Sequence, residues 1–174
     1  IKLDEKEKTL SIIDNGIGMD KKDLINQLGV IAKSGTEAFL KNLSNDDEKN
    51  IQLIGQFGVG FYSSFMIADK VKVISRKAGK NKVYAWESKG EGNYTVEEVK
   101  ESYPRGTSVI LYLKAGEDEY IDKVRIQNIV KTYSDHINIP VELILDDGKE
   151  KVINNGTALW TKPKDSITEE QYNE

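Results

Sequence analysis

The sequence predicts an α+β domain with a mostly antiparallel sheet. Short runs of strand-type residues, separated by Gly- and Lys-rich turns, recur through residues 70–113. Helical periodicity occurs in separate segments, among them residues 20–31 and residues 117–133. The chain has 174 residues, of which 38% are hydrophobic, and this is enough apolar material for one core. Hairpin-linked strands with separately placed helices are typical of α+β folds.

The first predicted elements are a hairpin and a helix. Residues 1–13 alternate apolar and polar positions around a charged turn, which predicts two strands. An Asn-Gly turn follows, and Asp20 is placed to cap a helix. The apolar residues of this helix recur at helical spacing: Leu24, Ile25, Leu28 and Ile31. Residues 29–54 are interrupted by glycine and weakly apolar, which is typical of a segment that moves.

The second half begins with a glycine-rich loop, residues 55–60 (GQFGVG), which leads into an apolar helix predicted over residues 61–69. Further predicted elements are strands over residues 70–76, 83–88, 94–99 and 107–113, a helix over 117–133 and a strand over 141–145. Turn signals then flank a short charged run. We therefore expect one domain over residues 1–147, and a linker with the start of a further domain over residues 148–174.

Composition excludes several classes of chemistry. Without cysteine, disulfides, thiolate nucleophiles and the common zinc-ligand sets are absent, and a reducing compartment is expected. The formal net charge of -4 gives no basic footprint for nucleic acid. No apolar run is long enough to cross a bilayer, and no signal-peptide pattern opens the chain. We therefore expect neither a nucleic-acid nor a membrane partner, and we predict no metal-ligating side chains.

Two glycine-containing segments are candidates for ligand binding. Asp14 ends an apolar strand, and its carboxylate can accept hydrogen bonds from an amino group such as that of adenine. Gly16 and Gly18 would let backbone approach a flat ligand. The backbone N–H groups of residues 55–60 can converge on an anion, although the spacing matches neither a dinucleotide motif nor a Walker loop. Ordinary turns explain either segment taken alone.

Other polar residues carry weaker signals. Lys33 lies in the glycine-interrupted region and is either a phosphate partner or a solvated surface lysine. Thr107 opens a strand and either holds a water or ligand, or fills a common strand position. His136 is the single histidine, with no cysteine or carboxylate pair around it, and a structural role suits it best.

Four segments read in order resemble the signatures of the 90-kDa heat-shock chaperone family. They are residues 14–19 (DNGIGM), 31–36 (IAKSGT), 54–63 (IGQFGVGFYS) and 105–107 (RGT). The first segment alone marks the broader superfamily of gyrase, histidine kinase and mismatch-repair ATPases, whereas the second and third are more specific. Residues 133–137 and 158–161 look like later family segments, so the resemblance covers nearly the whole chain.

The resemblance implies a two-layer sandwich of helices over an antiparallel sheet, with ATP or ADP and Mg²⁺ bound on the helical side. Asp14 would bind the adenine amino group through a contact supported by a water shared with Gly18 and Thr107. Gln27 and Lys33 would reach the ribose and phosphates. Residues 29–54 would be a lid over the nucleotide. Apolar walls would come from Met19, Leu28, Phe61 and Val109. The terminal phosphates would meet the backbone of Gly58, Val59, Gly60 and Phe61.

Three features qualify the resemblance. Gln27 stands where many relatives carry Asn. The short connection after Leu145 lacks the long charged linker of eukaryotic cytosolic relatives, which indicates the bacterial type, in the cytoplasm, or an organellar one. A front segment of the family, which supplies the general-base Glu and the Asn that holds Mg²⁺, is not among these residues. We therefore expect no catalytic residue here and negligible hydrolysis by this chain, with a slow ATPase in the parent protein.

The leading hypothesis is a chaperone in which ATP closes the lid, biases a homodimer toward a clamped state and remodels unfolded or partly folded client proteins. Dimerisation would use a region outside these residues, so this chain is expected to be monomeric. A second hypothesis is another ATPase of the superfamily, a topoisomerase subunit or a sensor kinase, but residues 31–36 favour the chaperone. A third is a folded piece with an incomplete nucleotide pocket.

Overall fold

The computed structural model describes residues 1–29 and 58–156. Two compact units divide the chain: one is Ser11–Lys114, and the other combines Ile1–Leu10 with Ala115–Glu174. The strands are β1 Lys2–Asp4, β2 Thr9–Asp14, β3 Ala68–Arg76, β4 Val83–Ser88, β5 Tyr94–Val99, β6 Gly106–Leu113, β7 Glu142–Ile144 and β8 Glu150–Val152. The helices are α1 Lys21–Asp23, continued by a π-helical turn Leu24–Leu28, then α2 Ser64–Ile67 and α3 Lys123–Ser134, with 3₁₀ turns at Gly60–Ser63 and Asp118–Ile121.

The sheet of the Ser11–Lys114 unit has the strand order β2-β6-β3-β4-β5. Strand β3 pairs antiparallel with both β4 and β6, and β4 pairs antiparallel with β5. Side chains alternate between the two faces, and on β3 the buried positions are Val71, Val73 and Ser75. Strand β2 continues into the second unit, where its other neighbour is β1. The α+β class and the mostly antiparallel sheet of six strands are thereby confirmed.

Strand register identifies the residues that share the buried face. Val73 lies opposite Val109 on β6 and opposite Trp86 on β4. Ser75 lies opposite Thr107. Because directly opposed residues point to the same side of a sheet, these five side chains form one continuous surface.

The helical segment of this unit lies over that face. The ring of Phe61, in the 3₁₀ turn, meets Trp86 edge-on at a centroid distance of 5.4 Å. Trp86, which is buried, stacks on Tyr94 of β5 at 5.9 Å. Aromatic pairs in these geometries add to the stabilisation that burial alone provides. Helical turns therefore cover one face of the sheet, as the sandwich arrangement requires.

The second unit has its own core around α3 and the β7–β8 hairpin. Ile126 and Val130 of α3, and Leu143 of β7, are buried. Asn154 is buried, and both ends of its side-chain amide form hydrogen bonds. Its Oδ1 accepts from Val141 N at 2.8 Å, and its Nδ2 donates to the carbonyl oxygens of Ile137 and Ile139. These bonds satisfy polar backbone that the hairpin leaves unpaired. Nowhere in the described part of the chain is a helix long and apolar enough to span a membrane.

Strands over residues 83–88 and 94–99 lie as predicted, and the first hairpin is confirmed. The helix predicted over residues 61–69 is too long, because α2 ends at Ile67 and β3 begins at Ala68. Ala68 already has extended backbone and pairs with Leu113, and a bulge follows at Asp69. Pairing with β6 thus overrides the local apolar pattern.

The helix predicted over residues 117–133 is divided into a 3₁₀ turn and α3. Asp122 separates them with extended backbone and caps α3, since its side chain accepts from Arg125 N. Strand β8 was not recognised from the sequence, because its three residues are charged or exposed. The helical residue predicted at Ile31, like the rest of residues 30–57, lies outside the described residues.

Candidate nucleotide-binding site

Asp14 closes strand β2 and starts a tight loop. Its Oδ1 accepts a hydrogen bond from Gly16 N at 2.8 Å, which fixes the orientation of the carboxylate. The side chain is exposed, so its remaining acceptor positions are reachable by a ligand.

Gly18 is where this loop meets strand β3. It is buried, with a φ of +64°, and a Cβ atom there would lie 2.1 Å from the carbonyl oxygen of Arg76. The next residue, Met19, donates its backbone N–H to Ser75 Oγ at 2.7 Å. Ala78 N donates to Ile17 O at 2.7 Å. Only glycine permits this approach of two backbones.

Gly106 makes the corresponding approach from strand β6. Its φ is +126°, and a Cβ atom would lie 2.0 Å from the carbonyl oxygen of Asp14. The backbone of Asp14 is therefore packed directly against the start of β6, where Thr107 follows. Thr107 is distant in sequence from Asp14 and Gly18, and Gly106, which precedes it, packs against the backbone of both.

A buried pair of hydroxyl groups lies beneath this junction. Ser75 is fully buried and Thr107 is 8% exposed. The Oγ of Ser75 is 2.9 Å from Oγ1 of Thr107 and 3.0 Å from the carbonyl oxygen of Gly106. Hydroxyl groups in a buried position require partners, and here they provide them to one another.

Charged residues hold the far end of the loop. Asp20 caps α1, accepting from the backbone of Lys22 and Asp23, while its own N–H donates to Asp23 Oδ2. Lys77 Nζ lies 2.7 Å from Asp23 Oδ2 and 3.1 Å from Asp20 Oδ2. Partial burial alone would raise the pKa of Asp20, but hydrogen bonds from the Asp23 backbone and from Lys77 outweigh it, so its pKa is lowered. The hydrogen bond to Asp23 raises the pKa of Lys77.

The π-helical turn contributes Gln27 and Leu28, both half-buried. The carbonyl oxygen of Leu28 accepts from the Tyr62 hydroxyl at 3.1 Å, which ties this turn to the 3₁₀ turn that follows the glycine-rich loop. Burial raises the pKa of the Tyr62 hydroxyl. Short π-helical turns are often found at functional sites.

The described end of the glycine-rich loop is open. Val59 is 53% exposed, and a Cβ atom placed on Gly60 would have no described atom within 4 Å. Phe61 turns back onto Trp86, which shares its face of the sheet with Val73 and Val109. Gly58 lies just before this turn. The described end of the loop thus lies beside an apolar surface.

The predicted site residues that the structure describes all lie in the Ser11–Lys114 unit. Asp14 and Gly18 pack against the backbone of Gly106, and Met19 and Thr107 both hydrogen-bond to the Ser75 hydroxyl. Phe61 and Val109 share the face of the sheet that carries Trp86. Lys33 and the predicted lid beyond Gly29 lie outside the described residues. The ligand roles of all these residues stay predictions.

Four further residues complete the arrangement and were not recognised from the sequence: Ser75, Gly106 as a contact to Asp14, Trp86 and Tyr62. One of them had a readable signal. Ser75 occupies an alternate position after Val71 and Val73, where an apolar side chain is the norm. A hydroxyl group at such a position indicates a buried polar partner. The other three depend on contacts between distant segments.

A separate surface cavity of about 380 Å³ is not formed by the predicted site residues. It is lined by Asp20, Lys21, Lys22, Lys80, Asn81, Lys82 and Tyr84. Within residues 1–29 and 58–156, no three His, Asp or Glu side chains are grouped to hold a metal ion.

The family described as "Histidine kinase-, DNA gyrase B-, and HSP90-like ATPase" matches residues 1–109. The chain belongs to this family.

Within the family, similar proteins bear one name. The chain is 54% identical over 175 residues to the Chaperone protein HtpG of Rickettsia typhi, and 51% identical over 174 residues to that of Orientia tsutsugamushi. It is 55% identical to the HtpG of Rickettsia bellii. Each match covers 100% of this chain and 28% of the relative, so the chain spans less than a third of the length of these relatives. The resemblance to the 90-kDa heat-shock chaperones, bacterial type, is confirmed.

Proposed function

We propose that this chain is the ATP-binding domain of a molecular chaperone, with adenine bound at Asp14. The observation that carries the proposal is the junction of Asp14, Gly18 and Gly106. Two glycines without room for a Cβ atom press the loop against strands β3 and β6. An exposed carboxylate is held there by the backbone N–H of Gly16, and Thr107 follows Gly106, which packs on the Asp14 backbone. A close-packed backbone surface with an exposed carboxylate suits a flat ligand that carries hydrogen-bond donors.

The remaining residues fit the other parts of a nucleotide. Gln27 and Lys33 would serve the ribose and phosphates. The backbone at Val59 and Gly60, followed by the 3₁₀ turn, would offer N–H groups to phosphates, and no described atom lies within 4 Å of a Cβ atom placed on Gly60. The apolar walls would be Met19, Leu28, Phe61 and Val109. Phe61 is supported for this role because Trp86 holds its ring from the side of the sheet.

Mg²⁺ would enter with the nucleotide. Divalent magnesium is commonly held by substrate phosphates, a few protein oxygens and waters rather than by a complete protein cage. This suits the described residues, which contain no preformed cluster of three carboxylate or histidine ligands. The ion would neutralise charge on the phosphates where they meet the glycine-rich loop.

ATP hydrolysis is proposed on the strength of the ATPase family match, and it is assigned to the whole protein because the relatives extend far beyond the aligned region. The chain itself is proposed to bind nucleotide and to hydrolyse it negligibly, since no residue here is assigned as the general base. Nucleotide would bias the full-length homodimer toward a clamped state that acts on unfolded or partly folded client proteins. Its setting would be the bacterial cytoplasm, as the chaperone name of the relatives and the lack of cysteine suggest.

The alternative within the family is a topoisomerase subunit or a sensor kinase. The family description includes both kinds of protein. The chaperone is favoured because chaperone relatives align over the full chain, including residues 110–174, which the family match does not cover.

The location of the site is tested by mapping ADP with Mg²⁺ onto the amide signals of the isotopically labelled protein by NMR. The proposal expects shifts at Gly18, Met19 and Thr107 and at residues 58–61, with little change in α3 and the β7–β8 hairpin. Shifts confined to the lysine-lined surface cavity would contradict it, because they would report binding of phosphate to surface charge.

A further inference from the structure

Ser75 has three polar neighbours and one proton. Its Oγ is 2.7 Å from Met19 N, 3.0 Å from the Gly106 carbonyl oxygen and 2.9 Å from Thr107 Oγ1. The backbone N–H of Met19 can only donate, so it occupies one lone pair of Ser75. The carbonyl oxygen of Gly106 can only accept, so it takes the single Ser75 proton.

The direction of the third bond follows. With its proton given to Gly106, Ser75 can only accept from Thr107 through its second lone pair. This is the one arrangement in which all three contacts are hydrogen bonds. The hydrogen bonds therefore run from the Thr107 hydroxyl to the Ser75 hydroxyl, and from the Ser75 hydroxyl to the Gly106 carbonyl oxygen. Buried hydroxyl groups favour such fully satisfied networks.

This arrangement determines what the Thr107 hydroxyl can offer to a ligand. Its proton points at Ser75, so its oxygen offers only lone pairs to a ligand or bridging water. Asp14, as a carboxylate, likewise offers only acceptors. The two side chains would therefore favour a donor on the ligand and disfavour an acceptor. An amino group is such a donor, and a keto oxygen is such an acceptor.

We propose that Ser75 is a positioning residue that holds the Thr107 hydroxyl as an acceptor and so makes the site select a 6-amino purine over a 6-keto purine. This inference rests on the proposed nucleotide site and adds to it the origin of base selectivity. Ser75 itself is fully buried and would act through Thr107 rather than by touching the base.

The test compares the affinities of ADP and inosine diphosphate, both with Mg²⁺, by titration calorimetry on the purified protein. Inosine diphosphate differs in carrying a keto oxygen in place of the amino group and a proton on the adjacent ring nitrogen. In Ser75→Ala the Thr107 proton is released and can donate to the keto oxygen. The ratio of the two affinities is expected to fall on the order of tenfold, the scale of one buried hydrogen bond. If Ser75 has only a structural role, Ser75→Ala should weaken the binding of both nucleotides equally and leave the ratio of the two affinities unchanged.

Ser108→Ala is the matched control. Ser108 is equally buried and accepts from Tyr103 Oη at 2.7 Å, but it follows Thr107 on β6 and so points to the opposite face of the sheet. Its removal is expected to lower stability without changing the affinity ratio.

Thr107→Val tests the same claim if Ser75→Ala does not fold. Valine keeps the shape of threonine and suits a strand, and Ser75 can still accept from Met19 and donate to Gly106. The affinity for ADP is expected to fall on the order of tenfold, whereas the affinity for inosine diphosphate should change little. Thr107→Ser is expected to keep the wild-type ratio of the two affinities.

The outcomes separate the inference from the proposed function. A folded wild-type protein that binds neither nucleotide contradicts the proposed site and removes the basis of the inference. A wild-type protein that prefers ADP, with the same preference in every folded variant at Ser75 and Thr107, leaves the site in place and overturns the role of Ser75. A reduced preference in these variants, with Ser108→Ala unchanged, supports it.

Discussion

Gly18 and the carbonyl group of Arg76 are in contact at a distance that leaves no room for a side chain. A Cβ atom at Gly18 would lie 2.1 Å from that oxygen, and the φ of +64° is unfavourable for other residues. This contact fixes the loop after Asp14 on strand β3.

We therefore expect Gly18→Ala to be strongly destabilising. The combined backbone strain and collision should lower the free energy of unfolding by about 2–4 kcal/mol. Gly79→Ala is the control, because Gly79 has a similar φ of +72° and a Cβ atom there would have no described atom within 4 Å, so it should cost about 1 kcal/mol. Denaturant unfolding of both variants measures the difference. Equal losses would mean that the loop can move away from β3 without penalty.

Leu24 and Ile25 provide a second test through burial. Leu24 is completely buried at the start of the π-helical turn, whereas its neighbour Ile25 is 37% exposed. Leu24→Ala should reduce the free energy of unfolding by about 2–5 kcal/mol, and Ile25→Ala by about 1 kcal/mol or less. If the two substitutions prove equally costly by denaturant titration, the turn does not pack in the way described.

The ion pairs of Lys77 give the stability a defined pH dependence. The pKa of Asp20 is lowered in the folded state, so its contribution is present above the unfolded pKa of about 3.9 and is lost as pH falls through the folded pKa. The pKa of Lys77 is raised, so its contribution is present below about pH 10.4 and is lost as pH rises through the folded pKa.

Lys77→Gln should therefore lower stability at neutral pH and flatten the stability profile at both ends. Because the side chain of Lys77 is 35% exposed, the loss should not exceed about 1 kcal/mol. Lys82→Gln is the comparison, since the Lys82–Glu98 pair is far more exposed and should contribute less. A Lys77→Gln profile parallel to that of the wild type between pH 3 and 5 (roughly the carboxyl titration range) would count against the pairing.

The fold was largely predictable from local patterns. Strand β4 is bounded by turns, and it lies where the run of strand-forming residues places it. The end of α2 was not predictable, because Ala68 becomes a strand residue only through pairing with Leu113, which is 45 residues away by their numbering. Local propensity carries no information about such a partner.

The candidate site was only partly predictable from the sequence. The segments that carry Asp14 and Thr107 were identified by resemblance, and the structure brings them together through Gly106. The role of Ser75 was missed because its place in the alternation indicates only a buried polar partner and does not identify that partner. Its importance comes from register with Thr107 and from the loop that delivers Met19, two features that exist only in the folded chain.

The central claim, an adenine site at Asp14, is tested most directly by titrating ADP with Mg²⁺ into the purified 174-residue protein and its Asp14→Asn variant. Asparagine keeps the shape but loses the charge and one acceptor, so binding should weaken by roughly tenfold to a hundredfold, the scale of a charge-assisted hydrogen bond. Asp69→Asn, an exposed carboxylate at the β3 bulge, should bind as the wild type does. Saturable binding that is lost at Asp14 alone is the predicted result. Folded wild-type protein without binding, or an Asp14→Asn variant that binds equally well, would contradict the account.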